Sequence, residues 1–119
     1  MDKWQAIDAY WNRYGVPAYN ELTVPDTAPD KHITYQSGIG RLNGPMTLSG
    51  SLYWRSSSWT WGMKKASEML KVMDHEIPVD GGYVIFRVPD AYSAQPATDP
   101  MDQQVRRMIF QVQVEFLTN

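Results

Sequence analysis

The stretch VRRMIFQVQVEFL, residues 105–117, constrains the fold more than any other part of the chain. Met108, Phe110, Val112, Val114 and Phe116 alternate with Arg107, Gln111, Gln113 and Glu115. A period of two places one set on each side of a strand. Such a strand needs neighbours for its backbone groups and a second layer over its apolar side.

Met46 to Arg55 has the same character. Met46, Leu48, Leu52 and Trp54 face one way, and Thr47, Ser49, Ser51 and Arg55 the other. Before it, His32 to Arg41 reads as extended, with Ile33 and Tyr35 opposite Thr34 and Gln36. Leu42-Asn43-Gly44-Pro45 joins the two as a turn, and Asn-Gly is a strong hairpin signal. Tyr83 to Val88 is a shorter, nearly all-apolar strand behind a second turn at Asp80-Gly81-Gly82.

The covering layer comes from two amphipathic segments. Asp2 caps the first, where Trp4, Ile7, Tyr10 or Trp11, and Tyr14 recur at helical spacing. Gly15 and Pro17 stop it, which predicts a helix over 3–14. The serines at 56–58 precede the second, whose stripe is Trp59, Met63, Ala66, Leu70 and Met73 over 59–74. The spacing therefore predicts one α+β domain over residues 1–119: an antiparallel sheet of about four strands with two helices packed mainly on one face.

Two irregular segments remain. Residues 15–31 carry Pro17, Pro25 and Pro29 together with Tyr19, Leu22 and Val24, too apolar for a plain linker. They either cover the sheet or one of its edges, or supply an adhesive surface. Residues 89–102 carry Pro89, Tyr92, Pro96, Pro100 and Met101 among small and acidic residues, and read as a second loop. Aromatics and methionine are typical of interface cores.

Composition narrows the function classes. A formal net charge of -2 argues against a main task of gripping phosphate backbones. There are no cysteines, so disulfide and thiolate chemistry are excluded; a cytosolic product fits this pattern. Residues 1–20 read as a helix and its exit rather than a secretory leader. No apolar run approaches the roughly 18 residues of a membrane span.

Chemistry is sparse. Asp30 with His32, or Asp74 with His75 and Glu76, supply metal-ligand residue types without a familiar ligand spacing. A polar strand start and a histidine near a helix C-terminus account for them. The serine run has no glycine elbow and serves as a cap. Gly38-Ile39-Gly40 lacks the third glycine and following helix of a dinucleotide loop. Arg106-Arg107 and Lys64-Lys65 are small basic pairs, while the aromatics that would stack bases mostly occupy core stripes. No catalytic residue, metal or cofactor is expected.

As an ordered series of segments, the chain resembles the tail-terminator, or tail-completion, proteins of long-tailed bacteriophages and prophages, also described as minor capsid or head–tail joining proteins. The resemblance rests on an N-terminal helix ending in YGVPAYNELTVP, then HITYQ opening a strand, SLYWRSSS running into a helix, DGGYVIFR, and the closing DQQVRRMIFQVQVEFLTN. It spans nearly the whole length and lies in order and spacing. It implies a non-enzymatic structural protein of the virion tail or neck, made in the bacterial host cytoplasm. Such proteins form a ring of six that caps the tail tube, meets the major tail tube protein and the head connector or completion protein, and lets DNA pass through its centre. Neither sequence-specific nucleic-acid binding nor membrane association is expected. Tyr19, Leu22, Val24, Tyr92, Pro96 and Met101 are the expected interface residues. Two other readings are a head-completion or neck protein of the same particle, and a small cytosolic ligand-binding or enzyme domain with a pocket between sheet and helices.

Overall fold

The computed structural model describes residues 1–37, 45–89 and 94–118. In chain order the elements are α1 (Lys3–Asn12), β1 (Ala18–Asn20), β2 (His32–Tyr35), β3 (Met46–Arg55), α2 (Thr60–Lys71), β4 (His75–Val79), β5 (Gly82–Arg87), β6 (Gln95–Thr98) and β7 (Val105–Thr118). The α+β class and the two helices agree with expectation. The sheet is larger: seven strands in the order β1-β2-β3-β7-β5-β4, with β6 also on β7. One pair, β1 with β2, is parallel.

β7 is the spine. One of its edges pairs with all of β3, from Val105↔Arg55 to Val114↔Met46. The other edge is shared end to end by β6, at Arg106 to Ile109, and β5, at Gln113 to Thr118. The even-numbered residues expected on the core face are there: Met108, Phe110, Val112 and Val114 are buried beside Leu48, Leu52 and Trp54 of β3.

Both helices cover that face. Asp2 caps α1 by accepting from the backbone N–H groups of Trp4 and Gln5, and the Gln5 side chain accepts from the Asp2 N–H, completing a capping box. Ile7, Tyr10 and Trp11 are fully buried, with Trp11 lying on Gly50 and Tyr10 stacked on Phe86 at 4.0 Å. Gly15, at φ 85°, ends the helical segment in the left-handed region.

The α2 stripe differs from expectation by a rotation of the helix. Gly62, Ala66, Met69 and Met73 are buried, whereas Met63 is 51 % exposed. Trp54 is the cause. Its indole sits against the backbone of Gly62 and meets Trp59 and Trp61 edge-on at 5.4 and 5.9 Å. A glycine reads as neutral in an apolar pattern, yet here it marks the point of closest approach. The serines contribute less than expected: the N-cap is Trp59, and Ser58 Oγ accepts from the Thr60 N–H at 3.1 Å.

The three unforeseen strands are short. β1 lies inside the segment 15–31, which therefore adds an edge strand. β4 precedes the Asp80-Gly81 turn, and β6 lies within 89–102, so Pro96 stands on a strand instead of in a loop. Residues 42–44 of the expected 42–45 turn and the Gly38-Ile39-Gly40 segment lie outside the described residues, although the antiparallel β2–β3 pairing that the turn implied is present, with Tyr35 opposite Gly50.

Behind the sheet, the C-terminal ends of the helices are clamped by a polar network. The Tyr10 hydroxyl donates to the Met73 carbonyl at 2.7 Å, and the Tyr14 hydroxyl donates to Tyr10 at 2.8 Å. Arg13 lies over both rings and donates to the Val72 carbonyl. Burial pushes both phenols above their usual range, reinforced at Tyr10 by the Tyr14 charge and hydrogen bond.

Candidate interaction face

The side of the sheet without helices carries the odd-numbered residues of β3 and β7. Its most ordered feature is a row across adjacent strands. His32, Tyr53, Arg107 and Ala97 stand directly opposite one another on β2, β3, β7 and β6. The His32 ring stacks on Tyr53 at 5.1 Å and 11°, and the Arg107 guanidinium lies 5.6 Å from the Tyr53 ring centre. Tyr19 of β1 continues the row at 6.3 Å from His32.

Each member is held. His32 Nδ1 lies 2.7 Å from the Pro29 carbonyl, which can only accept, so Nδ1 carries the proton. Arg107 Nε donates to Ser51 Oγ at 3.0 Å, and Ser51 is only 3 % exposed. Because neighbours occupy both sides of the Tyr53 ring, this row offers ring edges and polar tips to solvent. It is poorly suited to stacking a nucleobase on Tyr53, which needs an open ring face.

Among the described residues, hollows open on this side. One is lined by Pro29, His32, Tyr53 and Arg55. The second lies between Tyr53, Thr98, Pro100 and Arg107. The third lies across β5 and β7, between Ile85 and Arg87 on one strand and Gln113, Glu115 and Leu117 on the other. These hollows are not the pocket between sheet and helices that a small binding domain would use. His75 and Glu76 are neighbours on β4 and so point to opposite sides of the strand. Among the described residues no three His, Asp or Glu side chains gather as a metal set, and no helix is long and apolar enough to cross a membrane.

The outer edges of β1, β4 and β6 are blunted. At β1, Ala18 turns its backbone outward, where the Asn12 side chain accepts from its N–H at 3.0 Å and donates to its carbonyl at 3.3 Å. At β4, the Asp80 N–H, which also faces outward, donates to the Met1 carbonyl at 2.9 Å. Pro78 shares that outward parity and has no N–H to offer. Pro96 does the same on β6, since the Asp99 N–H is the group that turns in toward Val105. Proline at an edge position prevents further strand addition.

The expected interface residues are spread over the molecule. Tyr19 is half-buried in the row just described, and Val24 is half-buried in the segment after β1. Pro96 is exposed on its edge strand, and Tyr92 lies outside the described residues. Leu22 and Met101 are 84 % and 93 % exposed, and the same device displays both. Asn20 Oδ1 accepts from the Leu22 N–H at 3.0 Å while its carbonyl accepts from Thr23 at 2.9 Å. Asp99 Oδ1 accepts from the Met101 N–H at 2.8 Å while its carbonyl accepts from Asp102 at 3.3 Å. Each is an Asx turn nested in a β-turn, with the apolar side chain two residues after the Asx. Arg55 adds a tether to the second turn through its ion pair with Asp102, Nη1 to Oδ2 at 2.6 Å.

Sequence reasoning named Leu22 and Met101 but missed the row. The signal was present in the alternation of β3: Tyr53 falls among Thr47, Ser49 and Ser51, so it belongs on the outer side.

Against known proteins, the chain matches no family model and no curated protein sequence.

Proposed function

We propose that this chain is a structural assembly subunit of a phage or prophage tail, which closes the tail tube as a ring and presents a surface to the head connector. The order of segments supports the reading, since it is the order on which the resemblance rests. The observation that carries it is the paired display of Leu22 and Met101. A singly exposed apolar residue is commonplace. Two of them, each fixed at the tip of a hydrogen-bonded Asx turn, are ordered in advance for contact, which lowers the entropy lost on docking. They also lie in the two segments where a contact surface was expected.

In this reading Met101 and its turn meet the tail tube or a neighbouring subunit, and Tyr92 and Pro96 belong to the same excursion. The test is complementation of a tail-producing phage that lacks its own copy of this gene. Met101→Asp should leave the purified protein folded and melting like the parent, yet yield tubes of uncontrolled length in the lysate. Normal, infectious particles from that variant would remove the turn from the mechanism. A parent protein that fails to complement while an unrelated tail terminator succeeds would reject the reading itself.

A further inference from the structure

A ring subunit touches its neighbours through two different patches, because head-to-tail contacts are heterologous. Strand pairing at the edges of β1, β4 and β6 is blocked by Asn12, Pro78 with Met1, and Pro96. Side-chain contact is therefore the favoured way for copies to join.

We propose that the Leu22 turn of one copy seats in the hollow between Ile85 and Leu117 of a second copy. This names the subunit contact of the ring and so rests on the assembly reading. The two patches lie toward opposite ends of the strand order: Leu22 follows the edge strand β1, and the hollow spans β7 and β5 on the far side of β3. That placement leaves each copy with one knob and one hollow free for two different neighbours. The knob is a leucine on a hydrogen-bonded turn, and the hollow has apolar walls at Ile85, Leu117 and Pro45.

Charge sets the orientation. Glu21, exposed beside Leu22, brings a carboxylate to a hollow rimmed by exposed Arg87 on β5 and half-buried Glu115 on β7. Arg87 takes part in none of the ion pairs among the described residues. Seating Glu21 toward Arg87 pairs opposite charges, while the reversed orientation sets Glu21 against Glu115. Complementary and repulsive elements together fix the register.

The absence of native cysteine makes the contact directly testable. Leu22→Cys and Ile85→Cys proteins, mixed and mildly oxidised at high concentration, should form a mixed dimer. Each alone, and either one with a Ser67→Cys control on the outer side of α2, should give only background cross-linking. A chain carrying both Leu22→Cys and Ile85→Cys should give a ladder beyond dimer. Arg87→Glu in the mixed pair should lower the yield about tenfold, and Glu21→Arg on the partner should restore it. A mixed yield no higher than the Ser67→Cys control overturns the proposal, as does a double variant that stops at dimer. If tail capping persists under either outcome, the assembly reading survives and only the contact is wrong.

Discussion

Gly62 lies against the Trp54 indole so closely that a β-carbon at this position would overlap the ring. The register of α2 on the sheet follows from that contact, because it turns Ala66, Met69 and Met73 inward and Met63 outward.

Gly62→Ala should therefore destabilise by about 1–3 kcal/mol, the usual cost of overpacking, although alanine is the better helix former by roughly 1 kcal/mol. Met63→Asp, one residue away, should stay within about 0.5 kcal/mol of the parent, as exposed substitutions do. Urea melts of the two variants check the contrast; a large loss at Met63 would mean that the sequence stripe, and not the observed rotation, describes the helix.

Asn12 stands in for a missing strand at Ala18. Asn12→Ala removes both hydrogen bonds to Ala18, together with those the amide donates to the Asp8 carbonyl and carboxylate, and should cost about 1–2 kcal/mol. Equilibrium unfolding should show a lower midpoint with an unchanged slope. An equally stable variant would mean that water replaces the amide without loss.

The edge prolines guard against association more than they add stability. Pro96→Val gives β6 an outward N–H and a better strand former. The variant should fold and melt near the parent but scatter light as concentration rises. A clear solution at all concentrations would show that β6 is shielded by some other means.

Stability should fall at high pH. The phenols of Tyr10, Tyr14 and Tyr35 are all raised, chiefly by burial, so the folded state keeps its protons where the unfolded chain loses them. Their contribution is fully present below about pH 10, the unfolded value, and is lost as pH rises from there toward the folded values. Each group adds up to about 1.4 kcal/mol per pH unit to the decline. Tyr14→Phe should flatten the slope between about pH 10 and 12 relative to the parent; an identical slope would mean that Tyr14 ionises freely in the fold.

The long alternating strands and both helices were legible because each carries a full apolar face of its own. β1, β4 and β6 were not. β2 is as short as β6, but its Ile33 and Tyr35 alternate with Thr34, whereas three-residue β1 follows Pro17, and Pro78 and Pro96 make β4 and β6 read as loops. Pro78 and Pro96 are tolerated because the group they lack would point away from the sheet. The α2 stripe failed for the opposite reason: an apolar pattern cannot see that an absent side chain at Gly62 is what the packing requires. Of the candidate surface, Leu22 and Met101 stood out as apolar residues in irregular segments. The His32–Tyr53–Arg107 row stayed hidden because its members are close only across strands and far apart in the chain.

The division of one β7 edge between β5 and β6, with β3 on the other, has a mechanical meaning. Fourteen residues of extended chain reach roughly 46 Å, close to the longest dimension of the molecule, 47 Å. A force along β7 loads its three ladders, with β3, β5 and β6, in shear, so their bonds must yield together instead of opening one by one from an end. Pulling along β7 therefore meets more resistance than prying its neighbours away one ladder at a time.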